Sequence, residues 1–274
     1  MITKKAHGIS ILFFSILLIT SCTQNAYQAT NKVYKKQVKA FGKLLNEYPL
    51  KDSVGLNYAT DWVGTTNFSL RRPNFVVIHH TAQNSCGQTL KTFTLTRTQV
   101  SAHYVICRDG TVHHMLNDLL RAHHAGVSKW GNASDLNSSS IGIEIDNNGN
   151  EPFSEAQMNS LLQLLDRLKK AYNIPQTNFV GHADVAPGRK VDPSRYFSWQ
   201  TLAEKGFGYW YDSTNVKVPE DFNAIQALRV IGYNISKPEI AIQSYKIHFV
   251  PKDTINLINE TDKKILYDLM KKYQ

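Results

Sequence analysis

The segment "FVVIHHT", residues 75–81, is the stretch from which the fold can be worked out. It is apolar and β-branched as far as Ile78, which is the composition of a buried strand. Side chains alternate between the two faces of a strand, so His79 shares a face with Val77 and Thr81. His80 points the other way. Only one of the two histidines can therefore face a given site.

Strand-like and helix-like segments alternate on both sides of this stretch. Ser154 is a candidate helix cap, with Gln157 three residues on, at the start of the clearest helix. The other predicted elements are a weaker helix (87–99), a hairpin around Asp109-Gly110 (101–116), a strand (138–149) and a short strand (177–182). This order predicts an α/β fold with a mixed central β-sheet flanked by helices, whose ligands gather at strand ends.

Beyond residue 213 the pattern changes to three short helical segments, 220–231, 238–249 and 262–273. They predict a small C-terminal three-helix domain. The expected organisation is a signal peptide (1–21), a tether that turns into a wrapping arm or a short helix (22–54), a catalytic domain (55–213) and the helical domain (214–274).

The first residues indicate export. Two lysines precede the apolar run "ISILFFSILLI" (9–19), and Ile19-Thr20-Ser21-Cys22 resembles the bacterial lipobox. This pattern predicts signal cleavage and lipidation of Cys22, which would anchor the protein without a spanning helix. The expected location is the outer membrane, facing the periplasm. An uncleaved anchor, or an ordinary signal peptide with a chance cysteine, is the alternative.

Charge and cysteine content limit the partners. The formal net charge of +9 favours an anionic neighbour. For an exported protein, cell-wall polymer or lipid headgroups fit better than nucleic acid, which we do not expect as a partner. The alternative is that the charge serves solubility alone. Cys86 and Cys107 are expected to pair in an oxidising compartment, although two buried free thiols are the alternative. A monomer is predicted.

The segment "VGHADVAPGRKVDP", residues 180–193, carries more ionisable groups than a connector needs. Its two prolines and two glycines predict a loop rather than a helix or strand. A hydrolytic zinc site needs three protein ligands and one position left for water. His182 and Asp192 from this loop, with His79 from the strand, are candidates for the three ligands.

Catalytic groups are also available. In "IGIEID", Glu144 lies opposite a row of isoleucines and so faces away from the core. Glu144 could take a proton from water, and Lys190 could stabilise an oxyanion. Spacing alone does not select these residues, because five other histidines lie in strand-like or loop segments: His103, His113, His114, His123 and His124.

Five separated motifs narrow the choice. "FVVIHHTA", "SAHYVICRDGTVHHML", "HHAGVSKW", "SSSIGIEIDNNG" and "VGHADVAPGRKVDP" occur in an order that resembles zinc-dependent N-acetylmuramoyl-L-alanine amidases of the type 2 family, related to phage amidases and peptidoglycan recognition proteins. The resemblance covers roughly residues 74–200. It implies Zn²⁺ held by His79, His182 and Asp192, with Glu144 as the catalytic carboxylate and Lys190 as the transition-state lysine. His103 and His124 match recurrent positions that we interpret as structural or substrate-lining.

The resemblance implies hydrolysis of the amide between N-acetylmuramic acid and L-alanine, with peptidoglycan or muropeptides as substrate. The tail resembles a divergent peptidoglycan-binding helical domain, although a purely structural cap is the alternative. Three other functions stay open: a non-catalytic peptidoglycan-recognition module, a hydrolase that cuts a different bond, and a membrane-surface adaptor without zinc. A glycosidase would need paired carboxylates and no metal.

Overall fold

The computed structural model describes residues 25–46, 67 and 69–274; the predicted signal peptide and Cys22 lie outside these residues. Within the described ranges, no helix combines the length and the hydropathy needed to cross a bilayer. The chain consists of two compact units, which meet in sequence between residues 64 and 65. The first unit contributes one described helix, α1 (Gln28–Asn46), which has no buried residue and lies in the predicted tether.

All other described elements belong to the second unit. Its strands are β1 (Phe75–His80), β2 (Tyr104–Ile106), β3 (Val112–His114), β4 (Lys129–Trp130), β5 (Ala133–Ser134), β6 (Ser140–Ile145) and β7 (Phe179–Gly181). Its helices are α2 (Cys86–Thr94), α3 (Leu136–Ser139), α4 (Glu155–Tyr172), α5 (His182–Val185), α6 (Trp199–Glu204), α7 (Ala224–Ile231), α8 (Pro238–Phe249) and α9 (Glu260–Tyr273).

Five strands form the central sheet, in the order β3-β2-β6-β1-β7. Strand β1 is parallel to both β6 and β7, and β2 is parallel to β6. Only β3 is antiparallel, because it returns from β2 through the predicted hairpin. The predicted mixed α/β sheet is confirmed. Its register places His79 beside Glu144 on adjacent strands, at the carboxyl ends of β1 and β6.

The two faces of the sheet pack against different helices. On one face, Ile141, Ile143 and Ile145 pack with the leucines of α4, as the isoleucine row predicts. Helix α4 begins at the predicted Ser154 cap, where Ser154 and Gln157 form a reciprocal capping box. This face buries a continuous apolar layer between the sheet and α4, which the hydrophobic effect stabilises.

On the other face, Val77 and Val180 share an apolar core with helices α7, α8 and α9. The three helices lie close to the predicted segments, and Asn223 caps α7 through its side chain. They pack on the sheet within a compact unit that extends from residue 65 to residue 274. A domain boundary near residue 214 stays a prediction.

Candidate metal and catalytic site

The residues predicted as metal ligands come together at the carboxyl ends of β1 and β7. The Nδ1 atoms of His79 and His182 are 2.9 Å apart. One carboxylate oxygen of Asp192, Oδ2, lies 3.1 Å from Nδ1 of His79 and 3.0 Å from Nδ1 of His182. All three residues are buried. Together they form a group whose donor atoms could hold a metal ion.

The site loop does not have the structure that its prolines and glycines predict. Residues 182–185 form the short helix α5, so the expectation of a loop throughout 180–193 is wrong. The backbone N–H of Gly181 donates to Asp184 Oδ2 at 2.7 Å, which closes this first turn. Pro187 follows the last residue of α5 by two positions, so it does not interrupt the helix.

A chain of hydrogen bonds behind His79 determines which of its nitrogens carries the proton. The Ser140 hydroxyl donates to the carbonyl of Leu136, so its oxygen accepts from Nε2 of His124 at 3.2 Å. Nδ1 of His124 is then without a proton and accepts from Nε2 of His79 at 3.0 Å. Burial lowers the pKa of His79 to about 4 and holds that of His124 well below its ordinary value. Neutral His79 therefore presents a lone pair at Nδ1.

For His182, a single hydrogen bond places the proton on the same ring nitrogen as in His79. Its Nε2 atom lies 3.1 Å from the carbonyl oxygen of Ala125, which can only accept, so Nε2 carries a proton. Nδ1 of a neutral His182 is consequently free of one. Arg189 donates to the same carbonyl and to that of Val127, which fixes the backbone beneath the histidine.

This arrangement tests whether the residues fit a metal ion. Two imidazole lone pairs and a carboxylate oxygen converge within about 3 Å of one another, and the hydrogen-bond network leaves no proton among them. Three acceptors in a buried pocket repel one another unless a cation lies between them. Two nitrogens and one oxygen suit a first-row divalent cation, and hydrogen bonds to the second nitrogens are typical of metal-binding histidines. The residues fit.

Glu144 lies beside this group and has an unusual environment. It is half-buried, and its Oε2 atom is buried without any hydrogen-bond partner. Burial and the negative charge of Asp192 raise the pKa of Glu144 to about 8, against an opposing effect of Lys190. A buried carboxyl oxygen that no protein group satisfies is available to a water molecule or to a substrate.

A cleft of about 370 Å³ opens over these residues. Its lining includes the three candidate ligands, Glu144 and the exposed Lys190. His80 also lines the cleft, and its Nδ1 accepts from the backbone N–H of Ser194 at 3.0 Å. The predicted site residues therefore share one solvent-accessible cleft that is large enough for a small ligand.

The competing histidines lie elsewhere or have other roles. His103 is buried, and its Nδ1 accepts from the backbone N–H of Gly142. His114 pairs with Asp118 on the exposed side of β3, and His123 reaches only the rim of the cleft. His113 forms a second candidate metal group with the two cysteines. In the structure those cysteines, Cys86 and Cys107, are joined by a disulfide.

Two features of the site were missed from the sequence. Hydrogen bonds link the candidate ligand His79 to His124 and then to Ser140, 45 and 61 positions away in the sequence, and no spacing rule predicts these contacts. Behind α5, Asp184 accepts from Tyr233 Oη at 2.9 Å and lies 2.8 Å from Nδ1 of His248. Through Asp184, helix α8 and the loop between α7 and α8 hold the segment that carries His182.

Comparisons with known proteins agree with this geometry. Residues 69–195 match the family model described as N-acetylmuramoyl-L-alanine amidase. N-acetylmuramoyl-L-alanine amidase AmiD of Escherichia coli is 33% identical over 213 residues, which cover 66% of this chain and 76% of that protein. 1,6-Anhydro-N-acetylmuramyl-L-alanine amidase AmpD of Haemophilus influenzae is 41% identical over 103 residues, covering 37% of this chain and 56% of AmpD.

Solved structures are similar over a larger share of the chain. A complex of Escherichia coli AmiD with anhydro-N-acetylmuramic acid-L-Ala-D-γ-Glu-L-Lys has a TM-score of 0.67 at 28% identity, covering 77% of this chain and 93% of that one. AmpDh3 of Pseudomonas aeruginosa has a TM-score of 0.69 at 28% identity, covering 80% and 99%. Fold and site thus define a hydrolase that acts on amide bonds of peptidoglycan. The chain belongs to the N-acetylmuramoyl-L-alanine amidase family.

Proposed function

We propose that this chain is a zinc-dependent amidase that hydrolyses the bond between the lactyl group of N-acetylmuramic acid and L-alanine in peptidoglycan or muropeptides. The observation that carries the proposal is the convergence of three proton-free acceptors, on His79, His182 and Asp192, beside the unpartnered oxygen of Glu144. Two imidazoles and one carboxylate, with room for water, are a donor set typical of catalytic zinc.

Zinc at this position would supply Lewis acidity, which makes water easier to ionise and polarises a carbonyl oxygen. The chain's own residues account for the proton transfers. In its ionised form, Glu144 accepts a proton from the attacking water at its unpartnered oxygen and passes it to the amide nitrogen as the carbon–nitrogen bond breaks. The products are the lactyl carboxylate and the free amine of L-alanine.

Lys190 has a different task in this scheme. Lys190 is exposed and lines the same cleft as Glu144 and Asp192. Negative charge develops on the carbonyl oxygen as water adds, and a nearby cation lowers the energy of that state. Burial keeps the His79 imidazole neutral, and the contact between His182 Nε2 and the Ala125 carbonyl turns Nδ1 of His182 toward the same point.

The test uses purified protein and muropeptides, with products identified by mass spectrometry. We expect release of free stem peptide, loss of activity after treatment with a chelator, and recovery with zinc. Asp192→Ala should lose bound zinc. Glu144→Gln should keep zinc, but its turnover rate should fall by a factor of about 10² to 10⁴. Muropeptide that is bound but not cut would favour the recognition module, and cut glycan that persists with chelator would favour a glycosidase.

We further propose that the protein is an exported lipoprotein, anchored through Cys22 in the outer membrane and facing the periplasm. The lipobox-like sequence at residues 19–22 supports this placement. Labelling of cells with a radioactive fatty acid should mark the wild-type chain and leave Cys22→Ser unlabelled. Equal labelling of both chains would contradict the assignment.

We also propose that the protein acts as a monomer, and that residues 214–274 contribute to peptidoglycan binding.

A further inference from the structure

Helix α1 has two chemically opposite faces. At 100° per residue, its lysines Lys32, Lys35, Lys36, Lys39 and Lys43 fall within an arc of about 100°. The larger apolar side chains occupy an arc of about 140° centred on the opposite side, and they are Val33, Tyr34, Val38, Phe41, Leu44 and Leu45. Residues 25–46 contain no acidic side chain.

The apolar face of α1 is exposed to solvent. Phe41 is 52% exposed, Leu44 53% and Leu45 66%, and no residue of the helix is buried. A surface helix normally buries its apolar face against a core, and large exposed apolar patches mark interaction sites. Such a face therefore requires a partner whose chemistry matches both sides of the helix.

The charges select the partner. Residues 25–46 carry five lysines and no acidic residue, and this composition is complementary to a polyanionic surface. An apolar face opposite a row of lysines fits the boundary between headgroups and acyl chains. A second copy of α1 is a poor match, because it carries no acidic residue to pair with the lysines of the first. The apolar arc of about 140° is also wider than a coiled-coil seam, and the helix has only two heptads of suitable spacing.

We propose that α1 lies in the surface of an anionic lipid bilayer, with Phe41, Leu44 and Leu45 inserted and the lysines among the headgroups. The helix begins six residues after Cys22, so the intervening chain spans at most about 20 Å. If Cys22 carries acyl chains, α1 cannot move far from the bilayer that holds them.

The experiment measures vesicle binding of the chain from residue 22 onward, with Cys22→Ser so that no acyl chain contributes. We expect flotation with vesicles that contain phosphatidylglycerol and little flotation with pure phosphatidylcholine. Binding to the anionic vesicles should weaken at high salt, because added ions screen the lysine–headgroup attraction. Equal binding to both kinds of vesicle would overturn the proposal.

Two variants separate the two faces of α1. The triple variant Lys32→Glu, Lys36→Glu, Lys39→Glu should bind anionic vesicles at least about tenfold more weakly. Phe41→Ser with Leu45→Ser should also weaken binding about tenfold, with the lysines intact. The matched control changes three exposed lysines outside the helix, Lys217, Lys237 and Lys252, to Glu. It has the same net charge as the first variant and should bind like the parent chain.

Other occupants of the helix are outcomes of the same experiment. Circular dichroism checks that the variants keep their helix content, and hydrolysis of soluble muropeptides checks that the second unit is intact. If the parent chain does not bind vesicles but binds isolated sacculi, and the α1 variants lose that binding, the partner is cell-wall polymer and the proposal fails. It also fails if sedimentation shows that the parent chain dimerises through α1. Vesicle binding does not depend on catalysis, so failure of the proposed function would leave this result unaffected.

Discussion

The Nε2 atom of His79 lies 3.0 Å from the Nδ1 atom of His124, and both rings are buried. This contact links the inner side of a candidate ligand to Ser140 and then to the backbone carbonyl of Leu136. Because each group in the chain has only one proton to donate, the direction of every bond is fixed from the hydroxyl inward. The orientation of the metal-facing lone pair on His79 therefore depends on residues that do not touch the metal group.

Removal of His124 should weaken metal binding without changing a ligand. In His124→Ala, Nε2 of His79 loses its acceptor, so the proton and the ring orientation are no longer fixed. We expect zinc affinity to fall about 10- to 100-fold. Competition with a coloured chelator measures the affinity directly. His114→Ala, at an exposed position of β3, should keep the parent value; an equal loss in both variants would point to general unfolding instead.

Gly142 should tolerate no side chain. A Cβ atom at this position would lie 2.6 Å from Cδ2 and 2.7 Å from Nδ1 of His124, because the imidazole packs directly on the backbone of β6. Gly142→Ala is expected to destabilise the fold by about 1–3 kcal/mol and to displace His124. Thermal unfolding and zinc titration give the two readouts. Gly87→Ala is the matched control, since a Cβ there meets no atom within 4 Å. A neutral Gly142→Ala would show that His124 is free to move.

The C-terminal helices should stabilise the segment that carries His182. Tyr233→Phe removes one donor from the buried Asp184 carboxylate, and we expect a loss of about 1–3 kcal/mol in the free energy of unfolding. Zinc affinity should fall as well, because Asp184 closes the turn that begins at His182. Tyr196→Phe, at an exposed side chain, is the control for the loss of a hydroxyl. If both variants unfold alike, the link through Asp184 is not important.

Cys86 and Cys107 should be unreactive until they are reduced. The bond connects α2 to the end of β2 across 21 residues of sequence, which corresponds to about 3 kcal/mol of stabilisation in the chain-entropy model. Reduction should therefore lower the unfolding temperature. Thiol labelling of the unreduced protein should find both cysteines blocked. Labelling that instead becomes possible on addition of a chelator would identify a metal site with His113.

The sequence by itself determined the elements whose information is local. The apolar, β-branched composition of 75–81 and the isoleucine alternation of "IGIEID" predicted the two core strands, and the Ser154 cap predicted the start of α4. Alternation along a strand then predicted which faces His79 and Glu144 occupy. Alternation and capping act between residues a few positions apart, so they can be read directly. The short helix at His182–Val185 could not, because its first turn is closed by Asp184, which residues far along the chain hold in place.

Only the tertiary structure decided which histidines meet. His79 and His182 are 103 positions apart, and His79 and Asp192 are 113 apart, yet the parallel pairing of β1 with β7 brings them to one edge of the sheet. The family resemblance named the same three residues, but spacing alone left five other histidines open. Proton positions on the ring nitrogens depend on what each second nitrogen contacts, and those contacts exist only once the strands have paired and the helices have packed.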